Sequence, residues 1–115
     1  MATETEVRAG ALRMLGILDV GDTADATDDT YMTQKYAEVY AMLKEKGLAY
    51  WASGSTVPDK FSPHVQALLA FFSTEDYSIS GERLQRINAK ASIAFREIKS
   101  LGKPEHESTD NPVDF

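Results

Sequence analysis

The chain has no cysteine. Disulfides and thiolate-bound metals are therefore excluded, and the redox compartment is left open. Its only histidines are His64 and His106. Neither has a second histidine at helical spacing, so no metal site is expected. No apolar run approaches the roughly 18 residues of a bilayer-spanning helix. The opening "MATETEVRAG" is acidic and lacks the apolar stretch of a signal peptide, so the expected setting is a cytoplasm or an assembly formed there. A glycine-rich phosphate loop and a nucleophile elbow are also missing, and no hydrolytic constellation can be assembled. The sequence therefore predicts neither an enzyme nor a cofactor.

What remains is 115 residues of which 43% are hydrophobic, enough for one modest core. The net charge of −6 is unevenly placed. Residues 1–29 carry seven acids and two bases, net −5, and residues 30–81 five acids and four bases, net −1. Residues 82–101 reverse the sign with two acids and five bases, net +3, and 102–115 return to −3 with four acids and one base. An acidic protein repels duplex phosphate over its surface as a whole, but one basic helix can still face DNA or an acidic partner locally.

Apolar periodicity predicts four helices and no strand. The first spans about 5–15, with Val7, Ala11, Met14 and Leu15 on one face and Gly16 as a left-handed stop. A loop rich in Asp and Thr follows, and Asp28 or Asp29 is the expected N-cap of the second helix. Met32, Tyr36, Val39, Tyr40 and Leu43 form its stripe, and Lys44, Lys46 and Gly47 close it. The third helix is expected to have Ser62 as N-cap and Pro63 in its first turn, to turn Val65, Leu68, Leu69 and Phe72 inward, and to fade near Tyr77. The fourth follows Gly81 and stops at Gly102 and Pro104. Its residues Leu84, Ile87, Ala91, Ala94, Ile98 and Leu101 recur at alternating steps of three and four, a near-heptad seam whose small alanines admit a close neighbour. The expected fold is an all-α, small four-helix bundle over 1–101 with a long basic fourth helix, followed by a flexible arm over 102–115. Val7, Leu15, Tyr36, Val39, Leu43, Leu68, Leu69, Phe72, Leu84, Ile87 and Ile98 are the expected core.

The remaining unusual features concern contact rather than chemistry. Asp19, Asp22, Asp25 and Asp28 lack the alternation, the glycine and the closing Glu of a calcium loop, so the acidic segment reads as a solvated loop with a helix cap. Tyr50 and Trp51 stand in a segment, 48–61, that reads as a loop with a short extended piece. They either close one end of the core or anchor an interface. Arg83, Arg86, Lys90 and Arg96 lie off the fourth helix's seam and form an expected inter-subunit or channel face. "NPVDF" sets Asn111, Pro112, Val113 and Phe115 on an acidic spacer, an arrangement suited to a segment that orders on a partner.

In order and spacing the chain resembles the head–tail connector proteins of tailed bacteriophages. It is nearest to the adaptors of short-tailed phages, also called tail accessory or packaged-DNA stabilisation factors. Ala11, Leu12, Arg13, Leu15 and Gly16 match their "ALRxLG" helix; Ala37, Tyr40, Met42 and Leu43 follow their second helix loosely; Pro112, Val113 and Phe115 resemble a "PVxxF" connector tail, with one residue rather than two between Val113 and Phe115. No counterpart is expected here of the long extension that short-tailed-phage members carry after the fourth helix. The resemblance implies a virion protein at the head–tail junction, assembled in the host cytoplasm. It would form a closed ring of about twelve copies beneath the portal protein. That ring would extend the channel for packaged DNA and present a platform to a downstream tail or nozzle protein. On this reading 111–115 bind the portal. The alternative is a small helical DNA-binding or DNA-packaging regulator acting through the basic fourth helix.

Overall fold

The computed structural model describes residues 3–19, 21–52 and 56–102. They form four α-helices in chain order: α1 (Glu4–Leu15), α2 (Ala26–Glu45), α3 (Ser62–Ser73) and α4 (Gly81–Gly102), with no strand among the described residues. The arm with Asn111, Pro112, Val113 and Phe115 lies outside the described residues, as does His106.

Local chemistry explains where each helix begins and ends. Thr3 and Glu6 form a reciprocal capping box: the Glu6 amide donates to Thr3 Oγ1 at 3.1 Å and the Thr3 amide to Glu6 Oε1 at 2.8 Å. At the other end Gly16 adopts φ 80°, and the Gly16 and Ile17 amides donate to the Arg13 and Leu12 carbonyls. That is a Schellman closure, which needs a left-handed residue at this point. α2 starts earlier than expected. Its cap is Asp25, whose carboxylate accepts from the Asp28 amide at 2.9 Å, not Asp28 or Asp29. Those two stand in the first turn, where carboxylates suit the positive end of the helix dipole. Their side chains are engaged elsewhere, Asp28 with Tyr77 and Asp29 with Arg8. Ser62 likewise opens α3 as its first residue rather than capping it. The Phe61 and Ser62 amides both donate to the Pro58 carbonyl, so a preceding turn runs directly into the helix and no side-chain cap is needed.

α3 is the centre of the packing. It lacks any Asp, Glu, Lys or Arg, which fits a helix enclosed on several sides. α1 and α4 pack extensively on it and α2 lies against both α3 and α1, whereas α2 and α4 make at most marginal contact with each other. The core unites Val7, Leu12 and Leu15 of α1 with Met32, Tyr36 and Leu43 of α2, Val65, Leu68 and Leu69 of α3, and Ile87, Ala91, Ala94 and Ile98 of α4. The Ser73 hydroxyl is fully buried and satisfied by the Leu69 carbonyl at 2.9 Å. Leu84, expected in the core, is only half-buried, and so is Leu101. α3 has 12 residues against the 22 of α4. At about 1.5 Å per residue α4 outreaches it by roughly 15 Å, so both ends of the seam overhang.

Candidate functional site

Trp51 is a core residue. It is buried and tilted against the fully buried Phe61, with ring centroids 5.1 Å apart. Its indole N–H donates to the Tyr36 hydroxyl at 3.2 Å, and the Tyr40 hydroxyl donates to its carbonyl at 2.5 Å. Both tyrosines belong to the α2 stripe, so these bonds fasten the 48–52 segment to α2 and satisfy the polar ends of three buried rings. Burial pushes the Tyr36 hydroxyl up to about 12. Tyr50, by contrast, is 61% exposed, with the Lys60 ammonium 5.9 Å from its ring centre. Of the two candidate interface aromatics only Tyr50 presents a surface.

The four cations of α4 do not form one face. Arg83, itself exposed, reaches across the end of α1, where its guanidinium donates to the Met14 carbonyl at 3.2 Å and packs so closely on Gly16 that a Cβ there would lie 2.6 Å from it. A cation at this point satisfies one of the free carbonyls of a helix C-terminus. Arg86 and Lys90 stand beside it around a depression of about 140 Å³ that includes Met14 and Ile87. Arg96 is thirteen positions beyond Arg83, about 140° round the helix, and borders a different hollow with Phe95 and Lys99.

The largest departure from the sequence reading concerns Phe72. Expected in the core, it is 41% exposed, with Phe71 beside it at 37%. Its register is the expected one, between Leu68 and Leu69 on the helical wheel. α2 and α4 make at most marginal contact with each other, and among the described residues nothing roofs it. The gap is an apolar groove of about 270 Å³ with α3 as its floor: Met42 on the α2 side, Leu68, Phe71 and Phe72 below, Ala91 and Phe95 on the α4 side. A smaller hollow adjoins it at Glu38 and Val39. Asn88 and Ser92 supply the polar atoms on the α4 rim. This groove is the candidate functional site, a seat for apolar side chains rather than for chemistry.

The acidic and tyrosyl groups are used in structure. Tyr31 and Tyr77 meet edge to face at 5.2 Å. Tyr31 hydrogen-bonds Asp76, and Tyr77 donates to Asp28 at 2.8 Å. Lys35 lies 3.7 Å from Asp76. This network ties the turn after α3 to the start of α2. Burial, reinforced by the carboxylate that accepts its proton, raises each hydroxyl's pKa, Tyr31 to about 12 and Tyr77 higher. Among the described residues no group of three His, Asp or Glu side chains is placed to hold a metal. His64 is half-buried in the first turn of α3.

No protein-family model, curated protein or solved structure matches the chain.

Proposed function

We propose that the chain is a head–tail adaptor of a tailed bacteriophage: a virion structural protein that binds the portal ring, extends the DNA channel and carries the tail. Two lines support the reading. One is the ordered resemblance, whose first motif lies at a structurally exacting place. Ala11, Leu12 and Leu15 are buried, and Gly16 is the left-handed stop on which Arg83 rests. The observation that carries the reading is the open apolar groove on a small all-α fold, flanked by the basic helix α4. A contiguous exposed apolar face of this kind marks a contact surface, which a subunit working between neighbours has use for.

On this reading 111–115 meet the portal, while Arg86 and Lys90 face the acidic surface of the neighbouring copy or the packaged DNA; Arg96, on another side of α4, does not share that face. Arg83 leaves that set, because its charge is committed to the end of α1. Tyr50 remains as an exposed aromatic contact for a neighbour or a tail-side partner. The test is a pull-down with the portal protein encoded by the same genome. Retention at micromolar concentration, with rings of the adaptor visible beneath the portal by electron microscopy, is the expected result. No retention at any ionic strength, together with salt-dependent binding of the free protein to duplex DNA, would favour the regulator instead.

A further inference from the structure

The apolar groove does not end at Phe95. It continues along α4 into a wider hollow of about 450 Å³ bordered by Arg96, Lys99 and Ser100, and Ser92 and Phe95 belong to both. A track therefore runs back from near the end of α4, basic at first and apolar at its far end. Lys99 marks the change, with its ammonium 5.2 Å from the centre of the Phe95 ring.

The thirteen residues that follow α4 carry the complementary order. After Lys103, Glu105, Glu107 and Asp110 come first and Pro112, Val113 and Phe115 last; Asp114 falls between the two apolar anchors, where in extended backbone it points to the side opposite theirs. We propose that this segment folds back along α4 of its own chain, laying its acids over Arg96 and Lys99 and seating Val113 and Phe115 in the groove over Phe71 and Phe72.

Distance favours the chain's own segment over that of a second copy. From Gly102 back to Phe95 is about 10 Å of helix, and back to Asn88 about 21 Å. The nine residues 103–111 span roughly 15–18 Å as a flexible coil and about 30 Å when extended. The typical span of the tether thus matches the distance to the seat, the regime in which effective concentration is highest, on the order of millimolar. A second copy at micromolar concentration competes at a disadvantage of about a thousandfold. Charge order selects direction as well. A segment laid the other way round would set acids against Met42 and Phe72 and leave Arg96 and Lys99 without partners from it.

The seat is that of the free chain: on the adaptor reading the portal draws the same Val113 and Phe115 out of the groove, but the seat itself does not depend on that reading, and its test involves no portal. A fluorescent peptide of residues 105–115 is titrated into the full-length chain and into full-length Val113→Ser/Phe115→Ser. The double variant should bind the peptide at least tenfold more tightly, because its own groove has been vacated. Adding Phe71→Asp to the double variant should remove that binding, and adding Arg96→Glu and Lys99→Glu should weaken it several-fold. Phe71, Arg96 and Lys99 are exposed, so the helical signal and melting temperature should stay near those of the parent. Ser92→Glu, on an exposed residue of the same rim, replaces Phe71→Asp should that variant melt early. Equal affinity for the wild type and the double variant, or no binding to either, overturns the proposal. So does tight binding that survives both groove substitutions. A wild-type dimer in sedimentation that Val113→Ser/Phe115→Ser dissolves would also overturn it, by placing the segment on a second copy.

Discussion

Two residues in left-handed backbone make opposite predictions. Gly16 holds φ 80° against the Arg83 guanidinium. An alanine there would carry the left-handed penalty of about 1–2 kcal/mol and displace Arg83 as well. Ser78 holds φ 55° at the close of the turn after α3, where the Ile79 amide reaches back to the Thr74 carbonyl at 2.9 Å. It stands where a glycine would be unstrained, so Ser78→Gly should stabilise by about 1 kcal/mol. Urea unfolding of both variants checks the pair; shifts of the same sign would contradict the geometry. Tyr31 and Tyr77 give a pH prediction. Their hydroxyls ionise near pH 10 in the unfolded chain and only at higher pH when folded. Above pH 10 the unfolded state loses protons that the folded state keeps, so stability is full below pH 10 and falls as pH rises toward 12. The fall in melting temperature between pH 9.5 and 11.5 should be smaller in Tyr31→Phe/Tyr77→Phe than in the wild type.

At the scale of elements, the helices were legible in the sequence because each carries an apolar stripe, and α1, α2 and α4 a glycine stop as well; α3 has no such stop and ends at Ser73, short of the expected fade near Tyr77. α4 begins and ends within a residue of its expected bounds, and the inward face of α2 is the expected one. Three features were not legible, each for a physical reason. Three aspartates compete to cap α2, and choosing Asp25 requires knowing that Asp28 and Asp29 have partners on Tyr77 and Arg8, remote in sequence. Arg83 differs from Arg86 and Lys90 only because the end of α1 lies against it. Phe72 has the periodicity of a core residue, and periodicity records direction, not whether a neighbouring helix closes over that direction. The signal that could have revealed the groove is the adjacent pair Phe71–Phe72: two large rings 100° apart near a helix end cannot both enter one narrow seam. This distinction predicts a contrast. Leu69→Ala, at a fully buried site, should cost about 2–5 kcal/mol. Phe72→Ser, made in the chain lacking 111–115 so that no contact with that segment enters, should cost less than about 1 kcal/mol, as for surface substitutions. Comparable losses at both positions would mean that Phe72 is enclosed.

For the whole molecule, the distribution of charge matters more than its sum. The first 29 residues carry −5 and the stretch 82–101 carries +3. Arg8 answers part of the acidic charge internally, 3.5 Å from Asp29, and Arg83 spends one basic charge on α1. Arg86, Lys90, Arg96 and Lys99 remain on the surface of α4. In the proposed ring of adaptor subunits such a helix would meet the acidic part of the next copy, and exposed pairs of this kind steer and orient more than they stabilise. Arg86→Glu/Lys90→Glu should leave the melting temperature of the free protein nearly unchanged and reduce ring formation on the portal, most clearly at low salt. Rings formed as readily as by the wild type would make this face merely solvated.

The central claim is that the chain is an adaptor held to a portal through residues 111–115. Its most direct measurement is a titration of the portal with the wild-type chain and with one lacking 111–115. Burying a phenylalanine contributes about 1.5–3 kcal/mol, and a ring of arms multiplies that through effective concentration. The account predicts that the truncated chain keeps its helical signal and a cooperative thermal transition and loses at least a hundredfold in portal affinity; equal affinity of the two chains for the portal would contradict it.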